Sequence, residues 1–487
     1  METFVAIDIG ASSGRVIKSE RLDGKLTLEE IHRFKNAFHL EKGFQRWNVK
    51  NLIQEILIGL EKLKRKGIQK CFVGIDTWAV DYCLVDKNGE LLANPVSYRD
   101  PRTQGAIDLF QQKMDLITLF KKTGIQIQPF NTIFQLLIED KRVLEATEKI
   151  MLIPDYLGYM FTDEMVTEKT NGSTMQLLNN ETETWDEELL QLLGINEEFF
   201  APLVDSGTIL GPLVSEKFTE FDLPEVTFIN VASHDTASAV AGIPSEERKN
   251  WGFLSSGTWS LLGVETKVSN HSVEAYNENY SNEWGVESSY RFLKNIMGMW
   301  LIQQVSHQLD DQYSYQELAD LASEEPKFQQ FIDINEAMFL NPENMIEAIQ
   351  DYCRKTDQKI PKTTGEIARS IFDNLALCYA LELEKLEKLS TKIEVLHIIG
   401  GGSNNELLNQ LTADLSHTPV CAGPSEATAI GNILIQMVTI GIFSSVQEGR
   451  DYVRKSFPQT YYQPIDVNKE VLENYKCFIE KRKNNDN

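Results

Sequence analysis

The first three apolar segments decide what kind of α/β protein this chain can be. Thr3 to Ile9, Thr-Phe-Val-Ala-Ile-Asp-Ile, is almost continuously apolar and β-rich, the pattern of a strand covered on both faces. A small-residue turn follows, Gly10 to Gly14, and then two alternating segments, Arg15 to Glu20 and Leu26 to Phe34, separated by Asp23-Gly24. Asp-Gly between alternating segments signals a two-residue hairpin. Three successive antiparallel strands exclude a dinucleotide-binding βαβ unit, in which the first glycine-rich turn must open a helix. They also exclude Gly10-Ala11-Ser12-Ser13-Gly14 as a G-x-S-x-G nucleophile elbow, which needs strand, turn and helix.

The theme recurs past the midpoint, where Trp251 to Ser255 and Thr258 to Val264 read as strands joined at Ser256-Gly257. Helical periods lie between and beyond. Asn51 to Lys66 places Leu52, Ile53, Ile56, Leu57, Leu60 and Leu63 on one face, carries a basic last turn and stops at Gly67. Residues 103–200 are largely helical by pattern, and Glu366 to Leu389 is a long amphipathic helix. Buried strands are expected at Cys71 to Asp76, Val226 to Ala232 and Val395 to Ile399. Val80 to Val85 should form a hairpin with Leu91-Leu92 around Asn88-Gly89. The triplet Gly400-Gly401-Gly402 should lead into a helix, Glu406 to Leu415, with Ser403 or Asn404 as its N-cap. No short-period repeat is present. These elements predict an α/β protein with two domains of related build, 1–243 and 244–465, a hinge near Gly242 to Asn250, and a charged helical tail, 466–487.

Composition narrows the partners. Net charge is −25 over 487 residues, which excludes nucleic acid or an anionic membrane as the main partner, since both require a basic footprint. An anionic small substrate stays open, because backbone N–H groups and local cations can bind one. The N-terminus lacks a basic n-region, and no run reaches the roughly 18 apolar residues of a membrane span. Cys71, Cys83, Cys353, Cys378, Cys421 and Cys477 contain no C-x-x-C, which suits free thiols in the cytoplasm. The histidines have no metal-ligand spacing, and the absence of a coiled coil or interface stripe leaves a monomer as the expectation.

Two turns carry phosphate chemistry. In Asp8-Ile9-Gly10-Ala11-Ser12-Ser13-Gly14-Arg15, glycines let backbone N–H groups approach phosphate oxygens, serines add hydroxyls, and Asp8 can hold Mg²⁺ through water. Leu254 to Ser260 offers the same chemistry in the second half, although hairpins use Gly and Ser without any ligand. The glycine triplet could let a base and ribose lie against backbone. No Walker A motif occurs. Ser233-His234-Asp235-Thr236, just past a buried strand, places a carboxylate where phosphoryl transfer to a hydroxyl needs a base. The competing roles are a helix N-cap for Asp235 and a satisfied cleft histidine for His234. Asp76 and Asp81 flank Trp78, a grouping suited to sugars or equally to a core tryptophan with hairpin carboxylates. Tyr98-Arg99-Asp100-Pro101-Arg102 adds charged groups after a further short strand.

Asp8 to Arg15, Gly74-Ile75-Asp76-Thr77-Trp78, Ser233 to Thr236, Leu254 to Ser260, Lys294-Asn295-Ile296-Met297-Gly298 and Gly400 to Gly402 resemble, in order, the FGGY carbohydrate kinases, from about residue 3 to about residue 465. The resemblance implies two ribonuclease-H-like domains of the actin, hexokinase and Hsp70 superfamily flanking a catalytic cleft. Residues 1–243 would carry the sugar and the first phosphate turn, and 244–465 would carry ATP. It implies transfer of the ATP γ-phosphate, with Mg²⁺, to the 1-hydroxyl of L-rhamnulose in cytoplasmic L-rhamnose catabolism. Asp235 would be the proton acceptor. Ala11, Ser12, Ser13, Gly14, Arg15, Thr258, Gln303, Gly401 and Gly402 would contact ATP. Ala79, His234, Asp235, Thr236 and Asn295 would contact the sugar. Family members acting on this ketose often carry Gly at the position of Ala79, so its methyl either narrows the pocket or is harmless where only backbone is used. L-fuculose and xylulose are the alternative ketoses. An actin- or Hsp70-like ATPase is the alternative class, against which the helical segment 103–200 and the Trp78 hairpin count.

Overall fold

Asp23 and Gly24 take positive φ, 50° and 74°, as a type I′ hairpin turn requires. The turn joins Ser13–Leu22 to Lys25–Lys35, and Ser13–Leu22 pairs antiparallel with Phe4–Ile9. Phe4–Ile9 is buried along its whole length because its other edge is covered too: it pairs in parallel with Lys70–Thr77. Lys70–Thr77 pairs in parallel with Glu225–Asn230, and Thr208–Pro212 closes that edge antiparallel. The parallel register sets Asp8 directly beside Asp76.

The computed structural model describes residues 2–246, 249–465 and 469–485. Glu247 and Arg248, in the expected hinge, and 466–468, at the start of the expected tail, lie outside the described residues. Two compact units emerge. The first comprises Met1–Pro244, Glu265–Phe292 and Ala427–Phe457; the second comprises Ser245–Val264, Leu293–Glu426 and Pro458–Asn487.

In the first unit the helix Val49–Arg65 is capped by Asn48, whose side chain accepts from Asn51 N–H at 3.0 Å, and it buries Leu52, Ile56, Leu57, Leu60 and Leu63. Gly67, at φ 92°, lies just past its end. The expected hairpin around Asn88-Gly89 forms, but is short: Asp86 N–H donates to Glu90 O at 2.9 Å, Val85 bridges Leu91 antiparallel, and Leu92 N–H donates to Leu84 O at 3.0 Å. On its other edge Tyr82–Val85 pairs antiparallel with Lys149–Leu152, a partner set by non-local burial: Tyr82, Leu84, Ile150 and Leu152 share a core with Phe110, Leu119 and Phe134. Residues 103–200 are less helical than their pattern predicts. Short helices such as Ala106–Gln111, Leu116–Thr123, Thr132–Leu137 and Ile153–Thr162 alternate with two-residue strands at Thr167–Glu168, Leu178–Asn179 and Thr184–Trp185.

The helix Ala427–Thr439 completes this unit. Ile430, Ile433, Leu434 and Met437 cover Phe4, Ala6 and Ile17. It also meets the helix Asp235–Ala241 backbone to backbone. A Cβ on Gly431 would lie 1.7 Å from Ser238 O, and one on Gly242 would lie 2.3 Å from Ala427 O.

In the second unit neighbouring strands run in the order Tyr290–Met297, Trp259–Thr266, Trp251–Ser256, Val395–Ile399, Val420–Ala422 and Thr460–Tyr462. Trp251–Ser256 pairs antiparallel with Trp259–Thr266 and parallel with Val395–Ile399. The helix Thr364–Leu389 starts with a capping box, Thr363 and Glu366. The N-cap of Glu406–Ser416 is Asn405, not Ser403 or Asn404; its Oδ1 accepts from Leu408 N–H at 2.9 Å. Ser403 is occupied elsewhere, donating to Gly400 O at 2.7 Å inside the tight Gly401–Asn404 turn. In the tail helix Lys469–Asn485, Tyr475 is buried and its hydroxyl donates to Ile332 O at 3.2 Å.

Gly431→Ala should force these two helices of the first unit apart, costing about 1–3 kcal/mol or more. A thermal midpoint within a degree of the parent would contradict the backbone contact.

Candidate active site

The first glycine turn is held from within. Gly10 N–H donates to Ser13 O at 2.9 Å, Asn36 N–H to Ser12 O at 3.0 Å, and Asn36 Nδ2 to Gly10 O at 2.9 Å. These bonds use the carbonyls of the turn. Ser12 is exposed, and Ala11, Ser13 and Arg15 are half-buried. Gly14 has a packing reason to be glycine, since a Cβ there would lie 2.1 Å from the Phe34 ring. Arg15 Nη2 donates to Asp8 Oδ2 at 2.6 Å.

The His-Asp loop is anchored by a residue that its sequence does not advertise. Glu168, fully buried, accepts from Ser233 N–H at 3.1 Å and Ser233 Oγ at 3.0 Å. It also accepts from Thr170 N–H, Thr170 Oγ1, Asn171 N–H and Ser206 Oγ. Thr77 N–H donates to Ser233 O at 2.9 Å, tying the loop to the strand that carries Asp76. Asp235 opens the helix Asp235–Ala241 as its first residue, and His234 occupies the N-cap position without a side-chain cap bond. The expected capping role of Asp235 is therefore not the one found. Its Oδ1 accepts from Thr236 Oγ1 at 3.1 Å, and a third of its side chain is exposed.

A chain of charges stands behind His234. Arg291 Nη2 lies 3.0 Å from Glu283 Oε2, Glu283 Oε2 lies 3.2 Å from His234 Nδ1, and His234 Nε2 lies 3.3 Å from Asp235 Oδ1. Burial alone would raise the pKa of Glu283, but the Arg291 guanidinium and His234 outweigh it and hold the carboxyl below its ordinary range. Arg291 Nη1 and Nη2 also each lie 3.3 Å from His234 Nδ1, so the guanidinium and Glu283 hold the ring from the same side.

Three carboxylates crowd the same region. Asp76 is fully buried; Asn432 Nδ2 donates to its Oδ2 at 2.6 Å, while Oδ1 has no hydrogen-bond partner. Burial first, then the Asp8 charge, raises its pKa well above the carboxylate range, with Asp235 adding to the shift. Asp235 is itself raised by burial and by Asp8, against an opposing pull from His234. An orphaned buried acceptor among carboxylates is the electrostatic condition that a divalent cation relieves. Among the described residues no three His, Cys, Asp or Glu side chains converge to hold a metal directly. The fit is therefore to an ion carried by phosphate and reached through water, as Mg²⁺ prefers.

In the second unit three glycines hem in the Ser256–Ser260 turn. A Cβ on Gly402 would lie 2.0 Å from Ser256 Oγ, one on Gly400 would lie 2.9 Å from Ser256 O, and one on Gly298 would lie 2.6 Å from Ser260 Oγ. Gly401 is different: a Cβ there meets nothing within 4 Å. Thr258 Oγ1 donates to Gln303 Oε1 at 3.2 Å, so two of the residues expected to contact ATP do meet. Asn295 is half-buried on Tyr290–Met297, and its neighbour Lys294 donates to Glu382 at 2.7 Å. The expected residues thus divide by unit. Asp8, Ala11 to Arg15, Ala79 and His234 to Thr236 belong to the first, and Thr258, Asn295, Gln303, Gly401 and Gly402 to the second.

The grouping around Trp78 resolves toward the core. Asp81 Oδ2 accepts from Trp47 Nε1 at 2.6 Å, Trp78 Nε1 at 3.0 Å and Tyr98 N–H at 3.0 Å, and the two indoles pack 4.3 Å apart. Asp81 is a structural acceptor whose pKa burial pushes up to about 6. Ala79 is half-buried and is not among the residues with positive φ, so its methyl adds no backbone strain.

Sequence reasoning missed Glu168, Glu283, Arg291 and Asn432. Each meets the site through Ser233, His234 or Asp76, at least 49 residues away. No local pattern marks them.

Residues 3–242 match the N-terminal domain, and residues 252–440 the C-terminal domain, of the FGGY family of carbohydrate kinases. A rhamnulokinase of Enterococcus faecalis is 54% identical over 483 residues, covering 98% of each chain. One of Bacillus subtilis is 50% identical over 470 residues, covering 96% of this chain and 97% of the relative. Ligand-bound xylulose kinase from Lactobacillus acidophilus superposes with a TM-score of 0.80 at 16% identity, covering 99% of this chain and 98% of that one. Plasmodium falciparum glycerol kinase with ADP superposes with a TM-score of 0.76 at 16% identity and the same coverage. At that identity the likeness is one of fold, and the fold is the two-domain α/β architecture of the actin, hexokinase and Hsp70 class.

Glu283→Leu should leave Arg291 buried without its counter-charge, a loss of about 3–5 kcal/mol read as a fall in the denaturation midpoint. Adding Arg291→Met should recover most of it. Failure of the second substitution to restore the midpoint would mean that the pair is not the element being broken.

Proposed function

The chain belongs to the FGGY family of carbohydrate kinases, and from that membership we propose that it transfers the γ-phosphate of ATP to the 1-hydroxyl of L-rhamnulose, giving L-rhamnulose 1-phosphate and ADP. The observation that carries the reading is the His234-Asp235-Thr236 loop, anchored on Glu168 and backed by Glu283, in a chain 54% identical from end to end to a rhamnulokinase.

Phosphoryl transfer asks for in-line positioning, charge neutralisation and a proton acceptor at the attacking oxygen. Asp235 takes the proton of the 1-hydroxyl as that oxygen bonds to phosphorus and the bond to the β–γ bridging oxygen breaks. Its raised proton affinity suits it to that role, because a base with a pKa nearer the working pH accepts a proton more readily. His234, Thr236, Ala79 and Asn295 hold the sugar. The Ala11 to Arg15 turn supplies backbone N–H groups, two hydroxyls and a guanidinium to the phosphates. Thr258, Gln303, Gly401 and Gly402 serve the nucleotide, and the open face of Gly401 leaves room for it. Mg²⁺, when bound, neutralises phosphate charge, and Asp8 with the orphaned Oδ1 of Asp76 would hold it through water. In this reading residues 1–243 bear the sugar and residues 244–465 bear ATP. The enzyme works as a cytoplasmic monomer in L-rhamnose breakdown; among the described residues no helix is long and apolar enough to cross a membrane.

Asp235→Asn should lower kcat by about 10²–10⁴-fold with ATP binding retained; a folded variant turning over at the parent rate would remove Asp235 from the role. Across L-rhamnulose, L-fuculose and the xyluloses, ADP release should show the highest kcat/KM with L-rhamnulose. A higher value for another ketose would replace the substrate, and ATP turnover indifferent to every ketose would replace the activity.

A further inference from the structure

Between Thr77 and Tyr82 the backbone does something unusual for its sequence. Asp81 N–H donates to Ala79 O at 2.8 Å, an i to i+2 bond, and the residue between them, Val80, sits at φ 63°. This is a γ-turn of the rare, strained hand. Among the described non-glycine residues with positive φ, Val80 is the sole β-branched one, and branching at Cβ is what that region tolerates least. It is buried, so the strain is not relieved at a free surface.

Such conformations persist where the surroundings over-determine them, and they gather at functional sites. Both ends of this turn are over-determined. Thr132 Oγ1 donates to Val80 O at 2.6 Å, and Gln135 Nε2 donates to Asp81 Oδ1 at 3.1 Å. Thr132 and Gln135 lie on one face of the short helix Thr132–Leu137, and both are buried. Trp47, Trp78 and Tyr98 occupy the other oxygen of Asp81. The first residue of the turn is Ala79, half-buried and assigned above to the sugar.

We propose that Thr132 is a positioning residue for sugar binding: its hydroxyl holds the strained Ala79–Val80–Asp81 turn in the shape that presents Ala79 to the ketose. The proposal rests on the reading of Ala79 as a sugar contact. It also gives a second part to the segment 103–200, which already supplies Glu168 to the His-Asp loop. Without the hydroxyl, the Val80 carbonyl keeps only the long 3.5 Å contact from Gln135 Nε2, and the turn relaxes toward negative φ.

The full-length enzyme tests this through Michaelis constants measured separately for ketose and ATP, with the best ketose of the panel. Thr132→Val, close in shape, should raise the ketose KM by about ten-fold and leave the ATP KM within about two-fold. Thr132→Ser, which keeps the hydroxyl, should leave the ketose KM near the parent value. Adding Val80→Gly to Thr132→Val should restore ketose binding, since glycine holds positive φ without help. A Thr132→Val enzyme that melts earlier with both constants unchanged overturns the proposal. So do two constants that rise together, or a Val80→Gly addition that restores nothing. Wild-type enzyme that turns over no ketose faults the functional reading instead, a result visible before any variant is made.

Discussion

Close approach across three glycines, to backbone at Gly242 and Gly431 and to the Asn432, Val231 and Gln436 side chains at Gly74, is the constraint on which the first unit depends. Gly74, Gly242 and Gly431 allow the helix Ala427–Thr439 to lie closer to the strand Lys70–Thr77 and the helix Asp235–Ala241 than any side chain would permit. At that distance Asn432 reaches Asp76 and Gln436 reaches both Asn432 Oδ1 and the carbonyl of Val5. One helix therefore sets the environment of a buried carboxylate, supports the central strand and buttresses the helix whose first residue is Asp235. A methyl group at any of these positions would act on all three.

Electrostatics in this unit is organised as a contrast. Asp76 and Asp235 are acids raised by burial and by the neighbouring Asp8 charge, with the Arg15 guanidinium on Asp8 beside them. Behind His234, Arg291 compensates Glu283 so completely that its carboxyl stays ionised in a buried place. The first group has unmet demand for positive charge; the second is balanced. An anionic nucleotide with its counter-ion suits the first arrangement, and a fixed imidazole suits the second. The overall acidity of the chain does not work against this, because the field that matters is set within a few ångströms.

The features legible in the sequence are local ones. The Asp23-Gly24 hairpin, the buried first strand, the Leu-rich helix ended near Gly67 and the glycine-serine turns each follow from residues within a few positions of one another. Ser233 to Thr236 and its place after a strand were legible for the same reason. The second partner of Tyr82–Val85 was not, because Lys149–Leu152 takes the strand's other edge through a core shared with distant helices rather than through turn chemistry. The N-cap at Asn405 rather than Ser403 or Asn404 depended on where a tight turn happened to end. Glu168, Glu283, Arg291 and Asn432 carry no local signature. They are ordinary polar residues until the fold brings them to Ser233, His234 and Asp76. The sequence left Asp81 equally a sugar ligand or a core carboxylate, because a carboxylate beside a tryptophan has the same spelling whether it faces a ligand or two indoles.

The first unit is not a continuous piece of chain, and this bears on how the protein is made. A ribosome adding about 5–20 residues per second releases Phe4, Ala6 and Ile17 long before Ile430, Ile433 and Met437, which cover them. Throughout that interval the emerging sheet presents a bare apolar face, and Asp76 lacks its amide donor. The half whose synthesis begins first thus stays incomplete until the stretch ending at Phe457 has been translated.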